Sequence, residues 1–321
     1  MNWQKKGKIL SAENQFDWMA TYTSPLTGFF VDDKIYRLYF STRKKPDVNG
    51  NFISQIGVVD LDINNPTNIM KLYDTSLLNT GTVGTFDENG TMVAEIVEFD
   101  NKIYMYYMGW QRGSNVPYYI TVGLAISDDN GLSFKKYSEG PIIGISKDVP
   151  YGVGNISIHI DNDKKWHMWY TSYTGWEVEN NIYNPIYVIK YATSMNGLDW
   201  EYPDITCIDI NHVQENLATP SVLKIENKYY MWYSVRDSFS QDGGSKGGYR
   251  IGYAQSLDKI NWTRRDDEVG ICQSEKGWDS KMICYPHVVS HQDEFIMFYC
   301  GNNYGRDGFG YAIMKKNELL S

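Results

Sequence analysis

The chain has 321 residues, 42% hydrophobic and 21% charged, with a formal net charge of −9 at pH 7. Such acidity excludes a basic surface that tracks phosphate backbones, so nucleic acid is not an expected partner. No stretch approaches the roughly 18 consecutive apolar residues of a membrane-spanning helix, so no membrane insertion is expected.

Met1-Asn2-Trp3-Gln4-Lys5-Lys6 runs into mixed polar sequence without the apolar core of a signal peptide. The four cysteines, Cys207, Cys272, Cys284 and Cys300, show no C-x-x-C spacing. Four reduced thiols in a cytoplasmic protein are the expectation. The unusual feature is 15% aromatic residues, with 26 Tyr and 10 Trp. These residue types favour strands, and Tyr and Trp also suit the faces of sugar rings.

Along the chain one pattern recurs five times. It appears as Ile35-Tyr36-Arg37-Leu38-Tyr39, Ile103-Tyr104-Met105-Tyr106-Tyr107, Trp166-His167-Met168-Trp169-Tyr170, Tyr229-Tyr230-Met231-Trp232-Tyr233 and Phe295-Ile296-Met297-Phe298-Tyr299. The final tyrosines are 68, 63, 63 and 66 residues apart. A second strand follows each, such as Val122-Gly123-Leu124-Ala125 and Ile251-Gly252-Tyr253-Ala254. In the middle three units a turn comes next: Ser127 to Gly131, Ser194 to Gly197, Ser256 to Lys259. Asn-Gly suits such turns because both residues tolerate positive φ.

Each unit reads as four short strands with period-two alternation, which argues against helices. One such sheet cannot bury both faces alone, and five of them close a ring. The fold expected is all-β, a five-bladed β-propeller with four antiparallel strands per blade, in one domain spanning residues 1–321. Two β-sandwich domains, the alternative, predict no fivefold repeat.

Counting back from the repeat tyrosines by 20, 18 and 20 residues reaches Asp87, Glu215 and Asp279. Matching offsets predict matching places in three blades, converging at the channel. Convergent carboxylates supply the acid and the base or nucleophile of glycosidic bond cleavage. The three are therefore the candidate catalytic residues, one with a raised pKa. Candidate substrate-binding residues are Arg43, Trp110, Arg112, Trp176, Arg236, Tyr285 and His287. Arginine suits an anionic group and tryptophan a sugar ring.

His287 and His291 lie four apart, which on a strand is no shared metal face, so neither a metal nor another cofactor is expected. Gly243-Gly244-Ser245-Lys246-Gly247-Gly248 lacks the strand-to-helix context of a phosphate loop and reads as a flexible surface loop.

Gly84-Thr85-Phe86-Asp87-Glu88-Asn89-Gly90, Tyr249-Arg250-Ile251-Gly252-Tyr253-Ala254, Gly277-Trp278-Asp279-Ser280-Lys281 and Gly301-Asn302-Asn303-Tyr304-Gly305 carry a resemblance. Over nearly its whole length the chain resembles the five-bladed propeller glycosidases of glycoside hydrolase families 43, 62, 32, 68 and 130. More narrowly, it is similar to uncharacterised members associated with bacterial surface-polysaccharide biosynthesis.

The resemblance implies a carbohydrate-active protein with an activated sugar or polysaccharide precursor as substrate. The family's first-blade aspartate has no counterpart in Ala20-Thr21-Tyr22-Thr23-Ser24-Pro25, where Asp17 is the nearest carboxylate. Three functions stay open: glycoside hydrolysis; phosphorolysis or glycosyl transfer with an arginine-lined phosphate site; and glycan or protein binding without catalysis.

Overall fold

The computed structural model describes residues 1–13, 15–179, 181–237 and 248–320. Strand β1 (Gln4–Leu10) opens the chain. Blade 1 is β2 (Leu26–Phe30), β3 (Ile35–Arg43), β4 (Ser54–Asp62) and β5 (Ile69–Leu72). Blade 2 is β6 (Thr91–Phe99), β7 (Lys102–Arg112), β8 (Tyr118–Ser127) and β9 (Lys135–Lys136). Blade 3 is β10 (Val153–Ile160), β11 (Trp166–Glu179), β12 (Ile182–Ser194) and β13 (Trp200–Thr206). Blade 4 is β14 (Asn216–Ile225), β15 (Lys228–Arg236), β16 (Arg250–Ser256) and β17 (Trp262–Arg264). Blade 5 takes β18 (Cys284–His291), β19 (Glu294–Cys300) and β20 (Phe309–Lys315), and β1 supplies its fourth strand. The N-terminal strand thus closes the ring. All pairings within the blades are antiparallel, and among the described residues helix is confined to a few short turns.

The repeat tyrosines Tyr39, Tyr107, Tyr170, Tyr233 and Tyr299 are all buried on the second strands. The turns read from the sequence do form. Ser127 Oγ accepts from Gly131 N at 2.8 Å, Ser194 Oγ from Gly197 N at 3.0 Å, and Ser256 Oγ from Lys259 N at 2.9 Å.

Each turn then offers a carbonyl to the preceding blade. Tyr39 OH donates to Gly131 O (2.8 Å), Tyr106 OH to Gly197 O (2.8 Å), and Trp169 Nε1 to Lys259 O (2.9 Å). Buried aromatic donors need partners, and these bonds join blades 1 to 2, 2 to 3 and 3 to 4.

The innermost strands β2, β6, β10, β14 and β18 line the channel. Four of them break register near their first residues: between Val93 and Glu95, Val153 and Ile156, Ala218 and Ser221, and Cys284 and His287. In blade 1 the same place is the segment entering β2, where Ser24 N donates to Ser41 O at 2.8 Å. Bulges twist a strand and re-aim side chains. Here they aim them at the channel mouth.

Candidate functional site

A cavity of about 350 Å³ occupies the channel mouth, within the range of about 300–1,000 Å³ typical of ligand pockets. Its wall carries Tyr22, Tyr118, Tyr173, Tyr187, Tyr249, Tyr285 and Tyr304, with Trp110, Arg43, Arg236, Asn155 and Thr219. Four of these residues, Tyr22 (φ 65), Thr219 (φ 52), Tyr285 (φ 54) and Tyr304 (φ 59), hold a left-handed backbone. Elsewhere among the described residues, positive φ outside glycine falls on Asn, Asp, Lys, Glu and Gln. For bulky and β-branched residues that conformation is strained, and such strain collects at functional sites.

Arg236, at the end of β15, is buried beside the rings of Tyr187 and Tyr249, 5.5 and 5.7 Å from their centroids. Its Nη2 donates to Pro185 O at 3.4 Å. The hydroxyls of Tyr187 and Tyr249 touch each other. Burial raises the Tyr118 hydroxyl above its ordinary pKa, while Arg236 and Arg43 both pull it back. Among the described residues the pocket wall contains no Asp or Glu.

Below the mouth a smaller cavity of about 180 Å³ shares Asn155 and Thr219 with the pocket, and Glu95 and His287 line it. Glu95 Oε1 accepts from Thr27 Oγ1 at 3.2 Å and from Ile96 N at 3.3 Å. Desolvation outweighs those bonds and pushes its pKa up to about 8. His287 shares a 2.6 Å hydrogen bond with Tyr36 OH, and burial pushes its pKa down to about 4. The channel therefore keeps a protonated carboxyl and a neutral imidazole at neutral pH.

Of the three carboxylates reached by counting, Asp87 and Asp279 occupy matching places and Glu215 a related one, and all three face the outer strands. Asp87 is bound by Lys136 Nζ of β9 (2.5 Å) and Tyr107 OH (3.2 Å). Asp279 is bound by Lys5 Nζ of β1 (2.7 Å) and Tyr299 OH (3.0 Å). Glu215 takes a two-pronged contact from Arg264 of β17, at 2.6 and 2.7 Å. Arg264 also holds Asp266, the acceptor of Tyr233 OH at 2.7 Å.

Each carboxylate pairs inside its own blade with a cation from the fourth strand, and none of the three lines the pocket. Burial raises the Glu215 pKa, but the Arg264 hydrogen bonds outweigh it and hold the group below the usual value. That is the reverse of what an acid catalyst needs. Asp17 is exposed and also absent from the pocket wall.

The binding candidates fared differently. Arg43, Trp110, Arg236 and Tyr285 line the pocket. Trp176 packs edge-on against Tyr118, with centroids 5.1 Å apart, and so backs the wall. His287 lies in the lower cavity instead. Arg112 is exposed, its backbone N donating to Asn89 Oδ1, and forms no part of the wall. The loop from Gly243 to Gly247 lies outside the described residues.

Sequence reasoning missed Glu95, although a glutamate inside the apolar run Thr91 to Val97 was a visible signal. It also missed a positional marker. Ser24-Pro25, Thr219-Pro220 and Tyr285-Pro286 stand at the heads of three inner strands, and proline inside a sheet marks an edge or a bulge. His212, Glu215 and Asp237 come within 4.8 Å of one another. Arg264 and Arg250 already engage Glu215 and Asp237, so the cluster reads as an ion-pair network.

Two curated proteins of Mycobacterium tuberculosis match the sequence end to end. Uncharacterized protein MT1551 (strain CDC 1551 / Oshkosh) and Uncharacterized protein Rv1502 (strain ATCC 25618 / H37Rv) are each 32% identical over 316 residues, covering 98% of this chain and 100% of theirs. The chain belongs to their family. No family model matches it.

Among solved structures, one described as a glycoside hydrolase superposes with a TM-score of 0.73 at 18% identity, over 97% of this chain and 91% of that one. A structure described as showing that the GH130 family of mannoside phosphorylases contains glycoside hydrolases gives 0.69 at 16%, over 98% and 94%. A thermostable family-43 glycoside hydrolase gives 0.65 at 18%, over 95% and 91%. At these identities the likeness is one of fold, the five-bladed propeller of glycoside hydrolases.

Proposed function

We propose that this family of propellers is carbohydrate-active and engages a glycan end in the channel-mouth pocket. The observation that carries this reading is the wall itself: seven tyrosines and a tryptophan, four wall residues being held in strained backbone geometry. Tyrosine and tryptophan offer apolar faces to the C–H side of a sugar and polar edges to its hydroxyls. The named glycoside hydrolases and mannoside phosphorylases that share the fold support the same class. The sequence resemblance points further, to glycans of bacterial surface polysaccharides.

Hydrolysis by a facing pair of carboxylates finds little support in the described wall, which offers no such pair. A catalytic reading is favoured by Glu95. One protonated carboxyl beneath a pocket that carries arginines fits glycosyl transfer or phosphorolysis with a single acid better than two-carboxylate hydrolysis. Incubating the protein with a disaccharide panel, with and without inorganic phosphate, tests this. Release of a sugar phosphate, lost in Glu95→Gln, supports it. Phosphate-independent hydrolysis that survives Glu95→Gln overturns it.

A further inference from the structure

Arg43 ends β3 at the rim of the pocket, and the segment before β2 crosses it. Arg43 N donates to Thr21 O at 2.8 Å, and Thr21 N donates to Arg43 O at 3.1 Å. That bridge sets the neighbouring Tyr22 in its left-handed conformation, with its ring 4.3 Å from the guanidinium carbon. Phe52 offers a second ring at 5.7 Å. Stacking holds a guanidinium by its face and leaves the N–H fork in its plane for a ligand.

Among the described residues Arg43 has no carboxylate partner. Arg37, Arg250, Arg264 and Arg265 each pair with Asp or Glu. Among the described residues Arg43 makes no ion pair, and the pocket wall beside it contributes no acidic group. A half-buried cation, pre-positioned by two rings and a backbone bridge, meets no counter-charge among the described residues. A planar fork of this kind takes carboxylate or phosphate oxygens in two parallel hydrogen bonds.

We infer that Arg43 anchors an oxyanion carried by the bound sugar: the carboxylate of a uronic acid or the phosphate of a sugar phosphate. The inference rests on reading the pocket as a carbohydrate site and adds the charge of its ligand. Tyr22 is then a positioning residue, acting through the guanidinium it stacks on.

The test is isothermal titration of the wild type, Arg43→Gln and Arg43→Lys with glucuronate, glucose 1-phosphate, glucose and inorganic phosphate. Folding is checked by circular dichroism, and the bridge to Thr21 is made by backbone atoms that every variant keeps. Wild type should bind at least one of the charged sugars about tenfold or more tighter than glucose, since hydrogen bonds to charged groups contribute that much. Arg43→Gln should erase the difference while leaving glucose binding in place, and Arg43→Lys should restore part of it. Whichever charged sugar gains more identifies the oxyanion.

Glucose binding as tightly as both charged sugars, with Arg43→Gln indifferent, overturns the anion anchor but leaves the carbohydrate reading standing. Inorganic phosphate binding as tightly as glucose 1-phosphate shows a site for the anion alone and also overturns it. Failure of every sugar to bind removes both readings.

Discussion

Lys5 and Asp279, 274 positions apart, meet at 2.7 Å between Nζ and Oδ2 and tie the first strand of the protein to its last blade. The same three-part contact of tyrosine, carboxylate and fourth-strand cation recurs at Tyr107, Asp87 and Lys136. In blade 4 it is spread over Glu215, Asp266, Arg264 and Tyr233. These are fasteners between the loop that enters a blade and the strand that finishes it.

Asp279→Asn should therefore lower stability and leave pocket binding intact. Asp279 is nearly buried while Lys5 is partly exposed, so a loss of about 1–3 kcal/mol is expected for removing one partner. Urea denaturation measures it, and Lys5→Met should give a loss of similar size with little added in the double variant. Unchanged stability with abolished ligand turnover would return Asp279 to a catalytic role.

Glu95 should make stability fall with rising pH in a defined window. Its pKa is raised from 4.5 to about 8, so between those values the folded chain holds a proton that the unfolded chain releases. The stabilisation is complete below the unfolded pKa and is lost as pH rises through the folded one. His287, lowered from 6.5 to about 4, acts in the opposite sense below pH 6.5. The decline should thus emerge between about pH 6.5 and 8, with a limiting slope of about 1.4 kcal/mol per pH unit. Denaturation midpoints across that range should flatten in Glu95→Gln. A variant that keeps the wild-type slope would show that Glu95 titrates normally.

Tyr22→Gly separates packing from function. Glycine relieves a left-handed conformation that costs other residues about 1–2 kcal/mol, which offsets the lost stacking on Arg43, worth about 0.5–1 kcal/mol at such sites. Thermal stability should hold while affinity for the pocket ligand drops. A large fall in melting temperature with unchanged binding would make Tyr22 a core residue instead.

Cys207, Cys284 and Cys300 are buried and Cys272 is exposed, all as free thiols. Cys284 and Cys300 face each other across β18 and β19. Thiol titration of unfolded, unreduced protein should count four, with Cys272 alone reacting fast in the native state. A count of two would establish a bridge between Cys284 and Cys300.

The fold was legible because its signals are local and repeated. Alternation around Tyr39, Tyr107, Tyr170, Tyr233 and Tyr299 marks the second strands, and the serine-led turns at Ser127, Ser194 and Ser256 mark the third hairpins. Offsets of 20, 18 and 20 from those tyrosines reach Asp87, Glu215 and Asp279, each of which meets a cation of its blade's fourth strand. They carry no information on which way a side chain points from the loop, and that direction decides between channel and outer strand. Tyr22, Thr219, Tyr285 and Tyr304 reach the channel through a backbone conformation that their residue types do not advertise. The nearest written clue was proline at 25, 220 and 286.

A crystal structure of the protein soaked with an acidic oligosaccharide at saturating concentration tests the channel-mouth site most directly. A sugar ring is expected in the pocket, against Trp110 and Tyr187, with its anionic group at Arg43. A glycan ordered elsewhere on the propeller, with the pocket left to solvent, would contradict the assignment.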